Sequence, residues 1–227
     1  VGPGVSLMID GNEVFFSALL NRLFSGMNSF PLMAVPFFIL AGELMNQGGI
    51  TQSIVRFCQS LIGHYRGGLA QVNILSSVLF AGLSGSAVAD TSALGKMLIP
   101  AMEQNGYSRR FPAAVTAASS VIGPIIPPSG IMILYAFIMN VSVAGMFLAG
   151  ILPGLMICVG LMIVTNRIAK KRNYPIANKK ASWAERGSAF KVSFLPLLTP
   201  IILLGGIIAG VFTPTEAAAV AVGYASI

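Results

Sequence analysis

The chain has 227 residues, 55% of them hydrophobic and only 9% charged, with a formal net charge of +7 and a mean hydropathy of +0.82. A soluble domain carries about 25% charged residues, so this chain has too little charge to cover a water-facing surface. The positive balance does not describe a nucleic-acid groove either: eight of its 14 basic residues lie between Arg167 and Lys191, the clustering expected of cytoplasmic loops in a membrane protein.

The charge-free stretches set the architecture. No Asp, Glu, Lys or Arg occurs in 67–89, 111–166 or 192–215. A bilayer-crossing helix needs about 20 apolar residues, so the longest stretch holds two crossings and the others one each. The class is an all-α polytopic membrane protein. Cys58 and Cys158 sit among apolar residues and read as small hydrophobes, with no disulfide and no transition-metal site. The chain starts at Val1 without a signal-peptide pattern and stops at Ile227 within an apolar run, which reads as a piece of a longer protein.

In chain order, Asp10–Ser25 is mildly amphipathic and suits a membrane interface. Phe30–Met45 is a first clear membrane helix containing Pro36, stopped by Gly48 and Gly49. Thr51–Tyr65 alternates Ile54, Val55, Cys58, Leu61 and Ile62 with Gln52, Arg56 and Gln59, a second amphipathic helix. Gly67–Leu83 is apolar but short and runs into Gly-Ser-Ala-Val-Ala-Asp, after which a further short helix is expected from about Thr91 to Glu103. Two half-length helices joined at a Gly/Ser tip suggest a re-entrant hairpin, tolerated at membrane depth only where the tip is buried in protein or lines a cavity.

Phe111–Ile122 reads as another half-helix, broken by Gly123-Pro124-Ile125-Ile126-Pro127-Pro128-Ser129-Gly130 and resumed over Ile131–Met139. Each proline removes a donor and biases the residue before it away from the helix. Val143–Ala169 is a full span ending in a basic Lys-Lys-Arg. Asn178–Lys191 is polar and expected along the surface, and Phe194–Phe212 is a further span. Thr213 or Thr215 then caps a last helix, with Glu216 in its first turn. Arg56, Arg66, Arg109, Arg110 and Lys170–Arg172 share one side only if 67–103 returns to the side it entered from.

Chemistry concentrates at the two breaks. Interrupted helices expose carbonyl oxygens that coordinate cations and positive N-termini that hold anions. The tip adds Ser84, Ser86 and Asp90; the break adds Ser119, Ser120 and Ser129. A carboxylate at membrane depth costs roughly 2.5 to 3.5 kcal/mol, which marks Asp90 as a functional candidate, although it also suits the N-cap of a helix starting at Thr91. His64 reads as an interfacial residue, Lys96 as an interface contact off the helical face of Asp90, and Glu43 as a helix-end contact with solvent.

The segments FAGLSGSAVADTSALGKMLIPAMEQNGY, AAVTAASSVIGPIIPPSGIMILYAF, AGILPGLM and GVFTPTEAAAVAV resemble the large membrane subunit (DctM-like) of tripartite ATP-independent periplasmic (TRAP) transporters. SFPLMAVPFFILAGELMNQGGI fits as well, and the resemblance runs from about Leu20 to Ala225, weakest between Asn173 and Phe194. It implies an elevator-type secondary carrier of the bacterial inner membrane. Such a carrier imports an organic acid, a dicarboxylate or sialic acid, in symport with Na+. Its implied partners are a small membrane subunit and a periplasmic substrate-binding protein, and no organic cofactor is implied.

By the same resemblance, 1–66 is a scaffold span with an arm helix and 67–140 the transport-domain hairpin and discontinuous helix. Residues 141–192 are a span with a cytoplasmic surface helix, and 193–227 a further span and the start of the next helix. A second inverted repeat is absent from these residues. The implied Na+ ligands are Ser84, Asp90 and the carbonyls of Gly123, Ile126 and Pro128. Ser86, Ser119, Ser120 and Ser129 are the implied substrate contacts.

Two other functions compete. Gly82-Leu83-Ser84-Gly85 matches the string of rhomboid-type intramembrane serine proteases, which need a histidine base; the sole histidine, His64, precedes the serine in a basic segment. A channel would need rings of carbonyls or charges along an open pore.

Overall fold

The structure is a computed structural model and describes residues 13–27, 30–176 and 180–226. Among them are ten helices and no strand: α1 Glu13–Met27, α2 Phe30–Gln47, α3 Ile50–Ile62, α4 Gly68–Ser84, α5 Ala87–Gln104, α6 Arg110–Ser120, α7 Gly130–Ile138, α8 Val143–Lys171, α9 Trp183–Ile208 and α10 Pro214–Ala225. Two of these, α8 and α9, are long and apolar enough to cross a bilayer. Leu148, Leu152, Met156, Val159 and Ile163 of α8 are exposed large hydrophobic residues, as a lipid-facing stripe requires. The expected position of the first residues of the amphipathic segment, 10–12, lies outside the described residues.

Turn chemistry explains most boundaries. Gly49 and Gly67, both at positive φ, precede α3 and α4. Ser142 caps α8 by accepting from the Gly145 N–H, and Lys170 and Lys171 lie in its last turn, where cations suit the helix dipole. At α10 the Thr213 hydroxyl accepts from Glu216 N–H while the Glu216 carboxylate accepts from Thr213 N–H, a complete capping box.

Two expectations are corrected. The polar stretch ending at Lys191 and the following span form one helix, α9, with Pro196 and Pro200 inside it. Its capping box, Ser182 with Glu185, starts the helix at Trp183, and the same helix runs on into the apolar stretch. The second correction concerns the hairpin: α5 begins at Ala87 rather than Thr91, because Ser86 supplies the cap. Asp90 therefore lies inside the first turn and is not an N-cap.

Helices α4 and α5 pack against each other as a helical hairpin, and both its feet meet the end of α8. Arg66 donates to Asn173 Oδ1 (2.8 Å), Ser108 and Tyr174 hydroxyls lie 2.9 Å apart, and Tyr174 stacks on Tyr107 with centroids at 4.5 Å. Arg66, Arg172 and the residues just before Arg109 thus sit at one end of the bundle, as the charge pattern requires. Three apolar clusters hold the rest. One joins α4, α5, α6 and α8 around Ile74, Met102, Phe111 and Ile122. A second joins α2, α7, α9 and α10 around Phe38, Ile133, Leu203 and Ala218. The third seats α3 on the hairpin through Ile54, Cys58, Phe80 and Leu94.

Candidate functional site at the hairpin tip and the proline break

Gly85 turns the tip. At φ 57 it closes α4 by donating to the Ala81 carbonyl, a conformation that costs a non-glycine residue roughly 1–2 kcal/mol. Ser86 follows in extended backbone and its hydroxyl accepts from the Ala89 N–H at 3.4 Å, starting α5. The break mirrors this: Ser129 is extended and accepts from the Met132 N–H at 3.4 Å, starting α7. Two Ser-capped helix N-termini thus come from two separate interruptions.

The interruptions touch. A Cβ added to Gly85 would lie 2.5 Å from the Pro128 carbonyl oxygen, and one on Gly123 would lie 3.1 Å from the Ser86 carbonyl carbon. Tip and break therefore meet backbone to backbone, which the missing side chains at Gly85 and Gly123 permit. In the break, Ile125 and Ile126 N–H groups both return to the Ile122 carbonyl. Among the described residues no hydrogen bond ends on the carbonyl oxygens of Gly123, Ile126 or Pro128. Carbonyl oxygens are the kind of ligand a hard cation prefers.

A cavity of about 660 Å³ opens beside this contact, lined by Ser84–Ala89, Pro124, Gly130 and Ile131, with Val35, Phe38, Gly42, Glu43 and Asn46 from α2. Ser84 and Ser86 line it, and the Ser86 N–H donates to Ser84 Oγ at 3.4 Å. Ser129 is fully buried at the same contact. Glu43 is exposed and takes the Gln47 amide at 3.2 Å.

The remaining candidates face elsewhere. Asp90 is 0% exposed, and neither carboxylate oxygen has a hydrogen-bond partner. Its neighbour is Ser77 of α4, whose hydroxyl donates to Ser119 Oγ at 3.0 Å; Ser119 in turn donates to the Thr116 carbonyl. Asn73 donates to Thr116 Oγ1 at 2.6 Å while its own Oδ1 is left without a partner. Ser120 bonds back to the Ala117 carbonyl. So the structure brings Ser84, Ser86, Gly123, Pro128 and Ser129 together at the tip, and places Asp90 and Ser119 in a polar seam between α4, α5 and α6. Asn73, Ser77 and Thr116 were not evident as site residues. The available signal is spacing: Asn73 and Ser77 are four apart, Thr116 and Ser119 three apart, each pair on one face of its helix.

The protease arrangement is not present. His64 precedes α4, and Ser84 ends it, so about 25 Å of helix lies between them. His64 instead lies against the Tyr65 ring, tilted, with centroids at 4.2 Å.

Fold and sequence together define an all-helical membrane protein whose polar groups gather at helix interruptions. The chain belongs to the family of the tripartite ATP-independent periplasmic transporter, DctM component, which matches residues 5–227. It is 50% identical over 211 residues to the sialic acid TRAP transporter permease protein SiaT of Haemophilus influenzae, covering 93% of this chain and 34% of that protein. It is 45% identical over 221 residues to the sialic acid TRAP transporter large permease protein SiaM of Vibrio cholerae, covering 97% and 52%. To the C4-dicarboxylate TRAP transporter large permease protein DctM of Rhodobacter capsulatus it is 38% identical over 218 residues, covering 90% and 49%. The chain thus spans between a third and about half the length of these relatives. All three relatives are named as permease proteins of transporters.

Proposed function

We propose that this chain is one half of the large membrane subunit of a Na+-coupled carrier that imports an organic acid across the bacterial inner membrane. In this reading a periplasmic binding protein delivers the acid, a small membrane subunit completes the carrier, and the hairpin α4–α5 is re-entrant. Helices α6 and α7 are the halves of one discontinuous crossing that moves with the hairpin, elevator fashion, against the rest. The observation that carries the reading is the backbone contact of tip and break. It brings the backbone of Gly123 and Pro128 against the tip that carries Ser84 and Ser86, with two serine-capped helix N-termini beside it.

Na+ fits the oxygens and an organic carboxylate fits the N-termini, so the two charges are held side by side. Ser86 and Ser129 stand nearest the acid. Ser119 and Ser120 act from behind, through the α4–α6 seam, and Asp90 supplies the negative charge that favours cation entry. Likeness to SiaT and SiaM makes sialic acid the first substrate to try, and a C4-dicarboxylate the second.

The test is uptake of radiolabelled N-acetylneuraminate and succinate into proteoliposomes. These hold a complete large subunit carrying this sequence, its small subunit and its binding protein. Uptake driven by an inward Na+ gradient and absent when K+ replaces Na+ is expected. Uptake indifferent to that exchange would contradict Na+ coupling, and single-channel current across a planar bilayer would favour the channel.

A further inference from the structure

A second, smaller cavity shares one lining residue with the first. It measures about 290 Å³ and is lined by Asn46, Gly49, Thr51, Gln52, Ser92, Ala93, Lys96 and Met97. Asn46 lines both cavities. Five of the eight lining residues, Asn46, Thr51, Gln52, Ser92 and Lys96, carry polar side chains. Lys96 is the single basic residue between Arg66 and Arg109. It is exposed, and no acid pairs with it; the ion pair found among the described residues joins Arg109 to Glu103 at 3.6 Å. The Asn46 carbonyl oxygen accepts from Thr51 Oγ1 at 2.8 Å, so its amide N–H groups are left to donate. Gln52 and Ser92 are exposed and add further donors.

We propose that this pocket is a carboxylate site: Lys96, with the Asn46 amide, Gln52 and Ser92, holds the acid group of the transported molecule as it moves between the hairpin cavity and water. The donor set is cationic and neutral, with no carboxylate among the lining residues. The first cavity, by contrast, carries Glu43. An organic anion therefore gains favourable charge on passing Asn46 from the first to the second. The volume suits a carboxylate with the atoms next to it, while the larger cavity has room for the body of the molecule. This proposal rests on the organic-acid reading above.

The experiment measures binding of N-acetylneuraminate to the purified complete carrier in Na+, by isothermal titration calorimetry, for wild type, Lys96→Gln and Lys96→Arg. Lys96→Gln is expected to raise Kd about tenfold, the loss of one charge-assisted hydrogen bond. Lys96→Arg is expected to bind within about threefold of wild type, a difference under 1 kcal/mol. The thermal midpoint should be the same in all three, because the side chain is exposed. An unchanged Kd in Lys96→Gln, with wild type binding normally, would overturn the Lys96 site and leave the organic-acid reading standing. Equal loss in Gln and Arg variants would also overturn it, by showing a role in packing and not in charge. Displacement of N-acetylneuraminate by millimolar inorganic phosphate would make the pocket a phosphate or lipid-headgroup site and defeat the assignment. No binding or uptake of either organic acid by wild type would bring down the parent reading, and this one with it.

Discussion

The hairpin tip and the proline break solve the same problem in different ways. Both start a helix with a serine in nearly the same backbone conformation, φ −131 and ψ 121 at Ser86, φ −131 and ψ 126 at Ser129. Each serine bonds the N–H three residues on. What precedes the cap differs. The tip needs only Gly85 in the left-handed region and Ser86, so nearly every backbone group there is spent on closing α4 or opening α5. The break runs through 121–129 with Pro124, Pro127 and Pro128, which have no N–H to donate, and among its carbonyls those of Gly123, Ile126 and Pro128 accept no hydrogen bond from the described residues. In the site proposed above, the tip contributes shape and hydroxyls and the break contributes oxygen ligands. The two come into contact because Gly85 and Gly123 carry no side chain.

That division of labour is open to attack at each point. Gly85→Ala should have the largest effect: its Cβ would meet the Pro128 carbonyl at 2.5 Å on a backbone at φ 57. Uptake in proteoliposomes should fall below about a tenth of wild type, since a shift of even 1.4 kcal/mol is tenfold. Full activity would mean that the tip–break contact is dispensable. Next, Asp90→Asn keeps the side-chain shape in the seam and removes the charge. Half-saturating Na+ in uptake should rise about tenfold, close to 1.4 kcal/mol. An unchanged Na+ curve would assign Asp90 to packing alone.

The caps come third. Ser86→Ala and Ser129→Ala should each cost about 1 kcal/mol of stability, the usual worth of an N-cap, read as a lower thermal midpoint. Similar losses would support the equivalence of the two caps; a loss at one only would break it. Smallest is His64→Ala, for which uptake should stay at the wild-type level, the histidine lying at the far end of α4 from Ser84.

Much of this arrangement was legible in the residues, and the failures have physical causes. The helices α2, α3, α4 and α8 fall within a few residues of their expected spans, because glycine stops, a serine cap and a basic last turn mark them. The two interruptions also stood out, since Gly-Ser and Pro-Pro in an apolar setting have few other uses. The start of α5 was misplaced because Ser86 and Asp90 are both good caps, and only the turn at Gly85 decides between them. The start of α9 was hidden by composition: Trp183–Lys191 is polar and the rest apolar, yet a helix that leaves water for a bundle needs both, and its prolines are tolerated where neighbouring helices cover the freed carbonyls. The seam of Asn73, Ser77, Thr116 and Ser119 depends on which faces α4 and α6 turn to each other, a tertiary fact. That Asp90 points into this seam and away from the tip cavity is of the same kind.

The central claim is that tip and break together hold the ion, and it is tested most directly by binding. Radioactive sodium would be bound to the purified complete carrier, wild type against Gly85→Ala, with circular dichroism and size-exclusion profiles confirming that both are folded. Saturable sodium binding in wild type and its loss in the folded variant are expected. A folded Gly85→Ala protein that binds sodium as wild type does would contradict it.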